Sequence, residues 1–138
     1  MRVLVDTNVI LDMLLMRPVT GANSRMFFEM ARDFHDELCV STMTFRDIEY
    51  VVRRQLNDLD MRMAVLRSVY RWVFKFVELT ADDVINAMFA DRPDYEDSLL
   101  VEGAERCMLD AIITNNKKDF VKCHIPIFTP EEYLMVRK

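Results

Sequence analysis

A chain of 138 residues, 51% of them apolar and with a formal net charge of −5, has the length of one domain around one core. No apolar run approaches the roughly 18 residues that span a bilayer, and the N-terminus lacks the basic-then-apolar pattern of a secretion signal, so a cytoplasmic protein away from membranes is expected. The acidic balance argues against a passive nucleic-acid coat, which depends on phosphate attraction and is more often basic, but not against carboxylates that work with divalent cations.

Val3-Leu4-Val5 is a short apolar run that ends in an acid, Asp6. Thr7 and Asn8 follow, and apolar positions resume at helical spacing from Val9 to about Met16, before Pro18. A buried parallel strand enters a helix in this way. Ligands bind at the carboxyl ends of such strands, so Asp6 stands where chemistry is common; helix capping is an equal alternative for the residue taken alone. Asn23 or Ser24 opens a second helix through about Phe34, with Met26, Phe27, Met30 and Ala31 as its apolar stripe. Leu38 to Ser41 is strand two, and Cys39 within it is a buried thiol. Cys39, Cys107 and Cys123 form neither a zinc pattern nor a disulfide framework, which suits a reducing compartment.

Thr44 opens a third helix to about Leu56, with Phe45, Ile48, Val52 and Leu56 on one face. Asp60 caps a fourth through about Trp72, and Lys75 to Leu79 alternates as a strand. Thr80 caps a helix to about Ala90, and Asp94 caps another through Met108. Ala111 to Thr114 is a buried strand and Pro126 to Thr129 a last short one. Thr129-Pro130-Glu131-Glu132 starts the terminal helix, with proline at its favoured first position. Two glycines and four prolines leave no linker, so residues 1–138 read as one domain. Strands alternating with helices define the α/β class, a mostly parallel central sheet covered on both faces.

Asp47 follows strand two and is spaced from Thr44 as in a capping box, which is the favoured reading for it alone. Asp97 heads the stripe Leu100, Val101, Ala104 and Met108, at the rim of the core, where a carboxylate is costly without a partner. Glu49 and Glu96 flank these acids. Thr114-Asn115-Asn116-Lys117-Lys118-Asp119 follows another strand as loop, its lysines solvated or set against phosphate. Parallel topology brings these strand ends to one sheet edge. Acids converging there repel unless hard cations sit among them, and Mg²⁺ with carboxylates and waters is the set-up for phosphodiester cleavage. His35 and His124 are isolated, no glycine-rich phosphate loop exists, and Phe27, Phe28, Trp72 and Phe76 fit core spacing rather than a base-stacking platform. Most of the eleven methionines read as core filler.

The blocks V-D-T-N-V-I-L-D, S-x-x-T-x-x-D-I-x-Y, P-D-Y-E-D-S-L and I-I-T-N-N-K-K-D-F-x-x-x-x-I-P-I-F-T-P-E-E-Y-L occur in this order over nearly the whole chain. They resemble a PIN domain, closest to the prokaryotic VapC-like ribonuclease toxins of type II toxin–antitoxin pairs. The resemblance implies a three-layer α/β/α sandwich, RNA cleavage with Mg²⁺ or Mn²⁺, and inhibition by a small antitoxin. It makes Asp6 the first metal-binding and catalytic acid, Asp47 the second (more often Glu) and Asp97 the third. The fourth position, commonly Asp, holds Asn116, which offers an oxygen but no charge. Asp119, one turn on, either compensates or is structural, and Asn8 matches a polar position that helps hold water or substrate at the metal. Family members often dimerise, and Met26, Phe27, Phe28, Met30, Met61, Met63, Val69 and Trp72 exceed what one small sheet can cover, so a homodimer is expected. A second function stays open: a PIN-fold binding module that has lost tight metal binding. Asn116 and the net charge favour it; three acids in family positions oppose it.

Overall fold

The computed structural model describes residues 1–72 and 75–137. The strands β1 (Arg2–Val5), β2 (Glu37–Ser41), β3 (Lys75–Val77), β4 (Ala111–Ile113) and β5 (Ile127–Phe128) form one sheet in the order β3-β2-β1-β4-β5. Every pairing is parallel; Val3 sits opposite Leu38 on one side and Ala111 on the other. The apolar runs read from the sequence are thus the buried centre of a parallel sheet.

Side chains on a strand alternate between faces, and this splits the core in two. Val3, Val5, Leu38, Val40, Ala111 and Ile113 face one half-core, closed by α1 (Thr7–Leu14), α2 (Thr20–Asp33), α3 (Thr44–Arg53), α4 (Leu59–Tyr70) and α7 (Pro130–Val136). Leu4, Cys39 and Ile112 face the other, closed by Leu100, Val101 and Ala104 of α6 (Tyr95–Arg106), with α5 (Ala81–Phe89) packed beside it. The three-layer α/β/α sandwich follows. Asp36, buried just before β2, accepts hydrogen bonds from the Tyr133 hydroxyl and, at 2.8 Å, from Arg137, which ties α7 to the sheet.

Several helix ends differ from expectation. Helix α2 begins at Thr20, after Val19 turns the chain with a φ of 65°; Ser24 is no cap but a buried residue inside the helix. Asp58, not Asp60, caps α4, its carboxylate accepting from the amides of Asp60 and Met61. Thr44 and Asp47 form no capping box, because α3 starts at Thr44 with Met43 in the cap position. The other proposed starts hold: Thr44 opens α3, Asp94 caps α6, and Thr80 with Asp83 and Thr129 with Glu132 are complete capping boxes. Helix α6 stops at Arg106, and Met108 is 81% exposed beyond it, outside the core stripe.

Most methionines are not core filler: Met16, Met26, Met43, Met61, Met88, Met108 and Met135 are exposed, while Met1, Met13 and Met30 pack against the core's margin and none of the eleven is fully buried. Phe27, Phe28 and Val69 pack inside, so much of the apolar surface expected to drive self-association is already covered, while Met26 and Met61 stay exposed. Phe76 lies on the edge strand β3 and is about half exposed, its ring against Phe45 and Tyr70.

Gly21 fixes how closely α2 approaches α1. A Cβ there would lie 2.6 Å from the backbone oxygen of Asp12 and 3.2 Å from the Met16 carbonyl carbon. Both are main-chain atoms and cannot rotate away. Gly21→Ala is expected to push the two helices apart and cost about 1–3 kcal/mol. The measurement is the urea midpoint, and an unshifted midpoint would count against the close approach.

Candidate active site

β1 and β4 lie side by side, and both end at the same edge. Val5 pairs with Ile113, and the next amide, that of Asp6, donates to the Ile113 carbonyl at 2.9 Å. Asp6 and Thr114 are therefore neighbours although 108 positions separate them. The Thr114 hydroxyl donates to Asp6 Oδ2 at 2.8 Å. The same oxygen accepts from Asn8 Nδ2 at 3.2 Å and from the Asn116 amide at 3.0 Å. A hydroxyl has one proton and two lone pairs, so all three places are taken. Asp6 occupies the cap position of α1 without a side-chain cap bond, and its carboxylate is anchored at the sheet edge by Thr114.

Asn8 is used at both ends of its amide: Nδ2 donates to Thr114, and Oδ1 accepts from the Asn115 amide at 3.0 Å. It staples the loop after β4 to α1. Asn115 continues the staple, donating to Asp12 Oδ2 at 2.7 Å and to Ser24 Oγ at 3.3 Å. Buried Asp12 is also paired with Arg17 at 2.5 Å. None of Thr114, Asn115, Asp12 and Ser24 stood out in the sequence as part of a site.

Asp6, Asn8, Asp47, Asp97 and Asn116 line one cleft of about 560 Å³ at this edge. Asp119 reaches Asp97 from a short 3₁₀ turn, Lys117–Asp119. Carboxylate oxygens of Asp94, Asp97 and Asp119 lie within 4.8 Å of one another. Asp94 was read from sequence only as a cap. It does cap α6, with Oδ1 accepting from the Asp97 amide at 3.0 Å, but that engages a single oxygen. Asp47 sits on the first turn of α3 in the cleft wall, outside this trio. Asn116 is exposed, with Nδ2 3.5 Å from Asp119 Oδ2. Lys117 is paired with Glu132 at 2.8 Å, and Glu49 with Arg53.

The field in the cleft is strongly negative. Burial above all, then Asp6, Asp94, Asp119 and Glu96, pushes the Asp97 carboxyl up to about 7. Burial raises Asp6 to about 6; the Thr114 hydroxyl and the Thr7 amide only partly offset it. Asp47 is raised as well, by burial, against the pull of Arg46. An all-oxygen set of crowded acids suits a hard divalent cation rather than a soft one.

A family model for the PIN domain matches residues 2–118, and the chain belongs to the PIN domain family. Solved structures share the fold. VapBC-1 from nontypeable Haemophilus influenzae superposes with a TM-score of 0.71 at 15% identity, over 95% of this chain and 99% of that one. DNA-bound VapBC from Salmonella typhimurium gives 0.68 at 17% identity over 94% and 98%. A toxin-antitoxin complex from Klebsiella pneumoniae gives 0.67 at 17% identity over 93% and 97%. No curated protein matches the chain by sequence.

The raised acids make stability depend on pH. Asp97 titrates near 3.8 when unfolded and near 7 when folded, so between those values the native state holds more protons than the unfolded state. Stability is then greatest at the acid end of the window and falls as pH rises through it. In chelator-treated buffer, Tm is expected to be higher at about pH 5 than at about pH 8. Asp97→Asn should flatten that slope. An equal slope in the variant would show that Asp97 is not the titrating group.

Proposed function

We propose that this PIN domain is a divalent-cation-dependent ribonuclease, acting as the toxin of a toxin–antitoxin pair. The observation that carries the reading is convergence: Asp6 after β1, Asp47 on α3 and Asp97 on α6 come from three elements into one cleft. The donor set fits Mg²⁺ or Mn²⁺. Asp6, Asp94, Asp97 and Asp119 would hold it, with Asp47 on the facing wall and Asn116 offering a neutral oxygen. Such a cation supplies Lewis acidity, stabilising charge on phosphoryl and leaving oxygens and lowering the pKa of water.

The chain's own residues set the geometry for this chemistry. Thr114 gives its single proton to Asp6 Oδ2, which anchors the carboxylate at the sheet edge. The Asn8–Asn115–Asp12 staple holds the loop that carries Asn116. Asp47, its carboxyl raised by burial and standing apart from the trio on the cleft wall, is suited to accept a proton from the attacking water.

Toxin–antitoxin complexes among the structures that share the fold support a small antitoxin as partner. A homodimer and a cytoplasmic location belong to the same reading; among the described residues no helix is long and apolar enough to cross a membrane. The alternative is a binding module without catalysis. Asn116 favours it, because it supplies no charge where the family commonly has an acid.

Asp6→Asn separates the two. It should lower Mn²⁺ affinity and abolish cleavage of a mixed single-stranded RNA, while the cation-free protein is no less stable because one repelling charge has gone. Unchanged affinity and cleavage would refute the nuclease assignment. A second pair of variants locates the missing charge. Asp119→Asn is expected to weaken Mn²⁺ binding about tenfold, equivalent to ~1.4 kcal/mol of lost attraction, and Asn116→Asp to change it far less. Calorimetry on both checks this, and the opposite ranking would return the fourth ligand position to residue 116.

A further inference from the structure

The acids do not account for the aromatic part of the cleft. Tyr50 and Tyr95 are 53% and 46% exposed, and both line the cleft that holds Asp6, Asp47 and Asp97. On α3 the cleft-lining positions are Met43, Arg46, Asp47, Tyr50 and Val51. That is the rhythm of one helical face, while Thr44, Ile48 and Val52 are buried. Tyr50 stands nearly one turn beyond Asp47, about 4.5 Å along the axis at ~1.5 Å per residue. Tyr95 opens α6, two positions before Asp97. The two rings thus flank the acids from different helices.

Tyr50 is held in place. The Arg54 guanidinium carbon lies 4.8 Å from its ring centroid, and Arg54 Nη2 donates to its hydroxyl at 2.7 Å. Arg54 thus fixes the ring and engages its hydroxyl, and Tyr50 remains half exposed in the cleft lining. A cleft of about 560 Å³ is the size of a small-molecule site, large enough for a base beside the acids. A base has two π-faces and reaches an aromatic side chain only when it is unpaired. Arg46, on the same face of α3 and exposed, offers a guanidinium to the neighbouring phosphate.

We propose that Tyr50 and Tyr95 are specificity-determining residues that stack on the bases either side of the reacting phosphate. The assignment rests on the ribonuclease reading above. Two measurements keep the two claims apart.

The first uses Asp6→Asn protein and a single-stranded RNA carrying 2-aminopurine, whose fluorescence is quenched on stacking. Quenching is expected on binding. It should be lost when Tyr50→Leu or Tyr95→Leu is added, and restored by Tyr50→Phe or Tyr95→Phe. The second uses the otherwise unchanged protein. Each Leu variant should raise KM for single-stranded RNA about tenfold with a smaller effect on kcat, and the matching Phe variant should restore it. Circular dichroism confirms that each variant is folded. Leu variants that keep both the quenching and the KM overturn the proposal. So does a loss of affinity for an arginine-rich peptide with RNA parameters unchanged, which would give the rings to a protein partner. If the parent protein cleaves no RNA yet shows tyrosine-dependent quenching, the nuclease reading fails and the stacking role holds.

Discussion

The Thr114 hydroxyl has one proton to give, and Asp6 receives it. Everything else at the sheet edge depends on that bond lying where it does. It exists because β1 and β4 are parallel neighbours in a register that pairs Val5 with Ile113, so the residues after each strand emerge together. The two lone pairs of the same hydroxyl bind Asn8 and the Asn116 amide, which joins α1 and the loop after β4 to one oxygen. Shifting β4 by one residue would turn Thr114 to the other face of the sheet and undo all three bonds together. The precision of the site is therefore inherited from strand register, and register is inherited from the buried alternation of Val3, Leu4 and Val5.

A rigid frame is needed because the acids work against folding. Burial and mutual repulsion hold Asp6 and Asp97 well above the ordinary carboxylate range. At neutral pH each charge in the cleft is a cost that the two half-cores must offset. The half-cores can do so because Val3, Leu4 and Val5 of β1 are fully buried and each face has its own helical cover. The staple from Asn8 through Asn115 to Asp12 and Ser24 then anchors the loop beneath the acids to α1 and α2. Gly21 lets those two helices meet closely, so a backbone feature far from the cleft supports the loop that lines it.

The sheet and its layers were legible in the sequence because buried parallel strands are short apolar runs and helices keep their period. The acids were legible as a set for a topological reason: parallel strands share one carboxyl edge, so Asp6, Asp47 and Asp97 had to converge if the runs were strands. What stayed hidden depends on partners distant in the chain. Thr114 looked like the end of a strand, since nothing near it says that its hydroxyl faces Asp6. Asp94 looked like a cap and is one; its place beside Asp119 follows from a loop after a different strand. Ser24 resembled a cap because serine favours helix starts, yet the turn at Val19 had already begun the helix. Asp58 and Asp60 are equally good caps by type, and only the extended backbone at Asp58 decides between them. The methionines misled because flexible apolar side chains suit an exposed surface as well as a core.

The charge balance gives Asn116 a physical reason. Asp6 precedes α1, and Asp94 and Asp97 sit at the start of α6, so helix N-termini supply part of the compensation for three carboxylates. Burial still outweighs that help at Asp6 and Asp97. Among the described residues lining the cleft, Arg46 is the one cation, and it acts on Asp47. Asp6, Asp94, Asp97 and Asp119 already bring enough negative charge to match a pair of divalent ions under the proposed reading. A further carboxylate at residue 116 would deepen the repulsion in the cation-free protein with no cation left to offset it. An asparagine there keeps a ligand oxygen and the amide that bonds Thr114, and adds nothing to the field. On this view Asn116 reflects charge moved to Asp94 and Asp119, rather than the loss of the site.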